Sequence, residues 1–126
     1  MRLKVSRTDT YIPNWYNNKK LPISEQIKVT FRFMTSEQEE RFTKMRPTYR
    51  GNMAADEIQE VEMDLETHVN DIWDECVISV ENLIDEDNGK AITKPLEVRN
   101  IPGIYGLVTE VVAHIKGGFE ALEEKN

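Results

Sequence analysis

Residues 26 to 34 alternate without a break: Ile27, Val29, Phe31 and Phe33 fall on one face, and Lys28, Thr30, Arg32 and Met34 on the other. Successive side chains of a strand point to opposite faces, so this pattern predicts a strand buried on one side and wet on the other. Such a strand needs sheet partners and a layer that covers its apolar face. Residues 77 to 84 (Val-Ile-Ser-Val-Glu-Asn-Leu-Ile) are rich in branched side chains and lead into Asp85-Glu86-Asp87-Asn88-Gly89. The Asn-Gly pair is a hairpin-turn signal, which makes 90 to 92 a short return strand. The expected fold class is α+β: a small antiparallel sheet with a hairpin, built from strands near 27 to 34, 77 to 83 and 90 to 92 and covered by three to four helices. Leu3 and Val5 alternate with charged neighbours, and the pattern leaves open whether 2 to 6 joins the sheet.

The covering layer has its own signals. Thr35 or Ser36, with Gln38 or Glu39 three residues on, makes a capping box. Acids at 37, 39 and 40 suit the positive end of the helix that follows, from about 37 to 46, which Pro47 ends. After a loop at 47 to 53, Ile58, Val61, Leu65, Val69, Ile72 and Cys76 recur at spacings of three and four, the stripe of a helix from about 54 to 76. Val61, Met63 and Leu65 also alternate with acids, so 58 to 66 stands open between helix and strand. Pro95 reads as the first residue of a brief helical turn. Ile104, Leu107, Val108, Val111, Val112 and Ile115 form a wide apolar face on a last helix that Gly117-Gly118 is expected to stop. The organisation expected is one domain over 1–118 and a C-terminal tail, 119–126, beyond a double-glycine hinge. A chain of 126 residues is long enough for one core.

Charge is distributed very unevenly. The first fifty residues hold eleven Lys and Arg against five acids, a net of about +6, and the rest carries about −13. Between Arg50 and Lys90 lie 39 residues with thirteen Asp and Glu and no Lys or Arg. Charges that dense must be solvated, neutralised by a basic partner, or matched against a second copy. The overall charge of −7 argues against general phosphate-backbone binding. Tyr11, Trp15 and Tyr16 beside Lys19 and Lys20 are the types that grip single-stranded nucleic acid, but a loop Trp pinning its own segment to the core is the simpler reading. One cysteine, Cys76, excludes an intrachain disulfide and is expected to be a buried thiol. No apolar run reaches the ~18 residues of a membrane helix, and Met-Arg-Leu-Lys-Val is not followed by a signal-peptide core, so a cytoplasmic setting without a membrane partner is expected.

The chemistry-bearing residues assemble into no catalytic pattern. His68 has Asp71 and Ile72 at i+3 and i+4 and lacks the second ligand of a zinc helix, while His114 with Glu110 is an ordinary helix pair. In the 85–89 run a calcium-loop register puts Ile84 at the first ligand position, so a turn is the better account. Asp56/Glu60 and Glu62/Glu66 have the spacing for Mg²⁺ or acid catalysis, but no phosphate loop or nucleophile accompanies them. The expectation is a non-enzyme with no metal and no cofactor.

The order of parts resembles a known family. A strand ending in Lys28-Val-Thr-Phe-Arg-Phe33, the capped Thr35-Ser-Glu-Gln-Glu-Glu-Arg-Phe42, a middle helix leading into Val80-Glu-Asn-Leu-Ile-Asp-Glu-Asp-Asn-Gly-Lys90, a Pro-Gly break before an apolar helix, and the terminus Leu122-Glu-Glu-Lys-Asn126 together resemble the small tail assembly chaperones of long-tailed bacteriophages. The likeness is one of layout over about 100 residues. It implies a protein that coats the tape measure protein before tail tube protein polymerises, self-associates while doing so, and is absent from the finished particle. Many members also exist in a longer, frameshifted form.

For such a role an apolar helix face would cover the client and a charged exterior would keep the complex in solution. The residues that fit the first are Leu107, Val111, Ile115, Phe119 and Leu122, with packing into the chain's own core the rival account of Leu107 to Ile115. The residues that fit the second are Asp56, Glu57, Glu60, Glu62, Asp64 and Glu66. The charge polarity also suggests a homo-oligomer in which the basic front of one copy meets the acidic helix of the next. Two other classes stay open: a structural phage component, such as a head-tail connector or tail terminator, and an acidic antitoxin-like inhibitor of a nucleic-acid enzyme.

Overall fold

The computed structural model describes residues 7–45 and 68–124, with side chains for 7–42 and 68–117. Three strands, β1 (Thr8–Tyr11), β2 (Lys28–Arg32) and β3 (Val77–Glu81), form an antiparallel sheet in the order β1-β2-β3. Helix α1 (Ser36–Met45) follows β2, a helix described over 68–76 (α2) runs straight into β3, and α3 (Pro95–Arg99) and α4 (Tyr105–Glu124) close the chain.

The alternation of β2 does what it predicts. Val29 and Phe31 are buried, Ile27 and Phe33 pack half-buried against the core, and Lys28 pairs across the outer face with Glu81 of β3. Met34 departs from the pattern. Expected on the wet face, it is buried, because the strand ends at Arg32 and the two-residue period ends with it. Opposite β2, Thr30 pairs with Ser79 and Phe31 with Val77, so Ile78 bulges out of register and stands partly exposed.

The third strand is not 90–92. Its place is taken by Thr8–Tyr11, whose backbone pairs Thr8 with Arg32 and Tyr11 with Val29. Residues 83–92 form a hairpin held by an isolated bridge between Ile84 and Ala91 and by Asp85 N–H to Lys90 C=O at 2.9 Å. Gly89, at φ +67°, supplies the left-handed turn residue. Strand β3 stops short of the hairpin because Asn82 is itself left-handed (φ 65°) and turns the chain away from the sheet.

The capping box resolves to one pair. Thr35 Oγ1 accepts the Gln38 N–H at 3.1 Å, and Gln38 Oε1 accepts the Thr35 N–H at 3.0 Å. Helix α1 then buries Phe42, over which the Arg41 guanidinium lies at 4.8 Å, while Arg41 pairs with Glu75 of α2. Pro95 takes the first position of α3 as its ring requires.

All six apolar residues assigned to the last helical face, Ile104, Leu107, Val108, Val111, Val112 and Ile115, are buried against the sheet. That helix does not stop at Gly117-Gly118; it continues to Glu124. A glycine ends a helix by turning left-handed, and among the described residues the left-handed glycines are Gly89 and Gly103. Gly117-Gly118 is therefore a costly stretch of helix and not a hinge, and 119–124 extends α4.

Trp73 of α2 lies outside the predicted stripe but is the largest of the fully buried side chains, and its Nε1–H donates to Pro95 C=O at 2.8 Å. Cys76 is buried as expected, and burial, reinforced by the Glu75 charge, pushes its thiol up to about 11. A thiol-labelling reagent at neutral pH should leave Cys76 of the folded protein unmodified and react promptly in denaturant, a comparison read by absorbance or intact mass. Residues 2 to 6, the 47–53 loop and the 58–66 question lie outside the described residues.

Candidate binding surface

A loop tryptophan is expected to pin its own segment to the core, and Trp15 does so. It lies so close to α4 that a Cβ on Gly106 would meet its ring at 3.3 Å, which is why a glycine suits that turn of the helix. The next two residues have an unusual backbone. Tyr16 (φ 48°) and Asn17 (φ 58°) are consecutive left-handed residues, a conformation that costs a non-glycine residue about 1–2 kcal/mol.

Side-chain amides hold this strained turn. Asn18, 2% exposed, donates to Pro13 C=O (2.9 Å) and Ile27 C=O (3.0 Å) and accepts the Ile27 N–H (2.7 Å). Gln26 donates to Lys19 C=O (3.1 Å) and Leu21 C=O (3.0 Å). From β3's end, Asn82 donates to Ser24 C=O (3.1 Å) and Gln26 C=O (2.8 Å). The product is a hook braced by side-chain amides that shows solvent Tyr16 (82% exposed), Ile23 (74%), Leu21, Lys19 and Lys20.

Beside the hook lies a groove of about 360 Å³ whose apolar wall includes Trp15, Ile84, Ile92 and Ile101 and whose rim is Asp85, Glu86 and Asp87. The acids of the hairpin tip thus edge a concave apolar surface. Asp85 Oδ1 accepts the Asp87 N–H at 2.9 Å, which fixes the tip.

A second polar cluster anchors β1 to α4. Glu110 Oε2 accepts both the Tyr11 hydroxyl and the Asn14 N–H at 2.7 Å, and the Tyr11 ring stacks on His114 at 4.0 Å. Partial burial, then the bond to Glu110 and its charge, push the Tyr11 phenol up to about 12. The folded state therefore holds this proton more tightly than the unfolded chain, whose phenol titrates near 10.0. The stabilisation is complete below that value and is lost as the pH rises towards 12. Denaturant midpoints measured across that range should fall more steeply for the natural protein than for Tyr11→Phe.

The predicted partner residues divide. Leu107, Val111 and Ile115 are each 0% exposed within the chain's own core and offer nothing to a partner in this fold, because the sheet and α2 need that face. The side chains of Phe119 and Leu122, and the whole of Asp56, Glu57, Glu60, Glu62, Asp64 and Glu66, lie outside the described residues. His68 is buried, edge-on to Phe42 with Lys116 Nζ 3.4 Å from Nε2, an environment of packing. Among the described residues no group of three His, Cys, Asp or Glu is placed to hold a metal, and no helix is long and apolar enough to cross a membrane. The sequence weighs Tyr11, Trp15, Tyr16, Lys19 and Lys20 as a grip for nucleic acid and reads the acids at 85 to 87 as a turn, but no local pattern joins the two into one surface. Comparison of the chain with known protein families, curated proteins and solved structures returns no match.

Proposed function

We propose that this protein works by binding other proteins during assembly, as a tail assembly chaperone of a long-tailed bacteriophage: it holds the tape measure protein in solution while tail tube protein polymerises, in the host cytoplasm, and leaves before the particle is complete. The observation that carries this reading is the separation of charge, about +6 on the first fifty residues and about −13 on the remainder, which suits a chain that keeps an apolar client dispersed and meets copies of itself. Phe119 and Leu122 continue, at spacings of four and three from Ile115, the stripe whose earlier members are already used internally. They are the residues assigned to the client, and Asp56 to Glu66 to the solubilising exterior. Catalysis has no part in this account.

Quantitative mass spectrometry of infected cells and of purified particles tests it. The protein should be abundant in the lysate before release and missing from the particles. A fixed number of copies per particle would overturn the reading in favour of a structural connector or terminator.

A further inference from the structure

The hook and the groove have opposite chemistry and sit side by side. The hook presents Lys19 and Lys20 with exposed Leu21 and Ile23, and no acid lies between Thr10 and Ser24. The groove presents an apolar wall under Asp85, Glu86 and Asp87. Asn82 clamps Ser24 and Gln26 of the hook segment, and Ile84, two residues further on, already lines the groove, as does Trp15, against whose ring Tyr16 packs edge-on at 4.6 Å.

We propose that two copies of this chain pair through this face, the Lys19–Ile23 hook of each seated in the acid-rimmed groove of the other about a two-fold axis. Three features carry the step. Lysines meeting carboxylates while isoleucine and leucine meet the apolar wall is complementarity of charge and of hydropathy together. The hook is held in shape before contact by Asn18, Gln26 and Asn82, so little ordering is left to oppose association. Trp15 lines the groove and carries Tyr16 of the hook on its ring, so hook and groove adjoin, and in a two-fold pair two copies satisfy both contacts at once and the assembly closes at two; complementary patches on opposite sides would give rings or filaments. This pairing differs from the head-to-tail contact through residues 56 to 66 expected from the sequence, and it stands or falls separately from the identity of the client.

Charge exchange tests it. One variant carries Lys19→Glu with Lys20→Glu, so both its hook and its groove are acidic. The other carries Glu86→Lys with Asp87→Lys, so both are basic. Sedimentation equilibrium of the full chain should show a dimer for the natural protein, weakened as salt rises from about 0.05 to 0.5 M because ion contacts at the surface are screened over ~10 Å or less. Each variant alone should dissociate at least about tenfold more readily, and the equimolar mixture should recover a heterodimer, since both of its contacts are again between opposite charges. That recovery also shows that the variants are folded. A natural protein that stays monomeric, or a dimer indifferent to both reversals, overturns the proposal. If the monomer instead binds the free peptide Lys-Lys-Leu-Pro-Ile, the groove belongs to a foreign basic segment, and the second-copy assignment fails.

Discussion

Trp73→Ala should destabilise the protein by about 3–5 kcal/mol, the range for truncating a large aromatic in a close-packed core. Trp73 is 0% exposed and lies on α2 one position from Ile72, so its removal opens a void between the helix and the α3 region that its ring reaches. Two losses combine: the apolar contacts of the indole, and the Nε1–H donor that satisfies Pro95 C=O. Trp73→Phe separates them. It retains much of the packing but removes the indole donor to that carbonyl, and should cost about 1–3 kcal/mol less than the alanine variant. Since domains of this size are stable by only about 5–15 kcal/mol, urea midpoints resolve both variants easily. A Trp73→Ala loss below about 1 kcal/mol would mean that α2 does not pack on α3 as described.

Asn18→Ala should cost about 2–4 kcal/mol, a large effect for a residue in a loop. Its amide serves two carbonyls and one N–H, and truncation leaves Pro13 C=O, Ile27 C=O and Ile27 N–H to find other partners in a site where the side chain was 2% exposed. The same bonds hold Tyr16 and Asn17 left-handed, so the hook should loosen as well as the fold weaken. Amide exchange distinguishes the two consequences: the Ile27 N–H should lose protection by more than the global loss of stability accounts for. Asn18→Asp retains the acceptor for Ile27 but places a carboxylate where two carbonyls need donors, and should be no better than alanine.

Local rules predicted the elements whose residues answer to one neighbour at a time. Alternation located β2 because half its residues face the core and half face water. The Thr35/Gln38 box and Pro95 located helix starts because both satisfy or omit backbone donors within one turn. The i, i+3, i+4 stripe from Ile104 to Ile115 marked the core face of α4 correctly, and the same success removed Leu107, Val111 and Ile115 from the partner surface. The misses have a common cause. Thr8-Asp9-Thr10 has no apolar alternation, and its membership of the sheet is decided by backbone pairing with β2. Gly117-Gly118 reads as a stop because glycine permits left-handed φ, but permission is not obligation. The hook depends on Asn18, Gln26 and Asn82 reaching main-chain carbonyls up to 58 residues away, and no short-range pattern encodes such partners.

The central claim is that the protein keeps an aggregation-prone client in solution by binding it. The direct measurement is the soluble fraction of a tape measure protein, the client proposed above, co-expressed with the natural protein, with Phe119→Ser/Leu122→Ser, and alone. The account predicts a soluble complex with the natural protein, a pelleted client when expressed alone, and a loss of most rescue with the double variant. A client equally soluble or equally insoluble with and without this protein would contradict it.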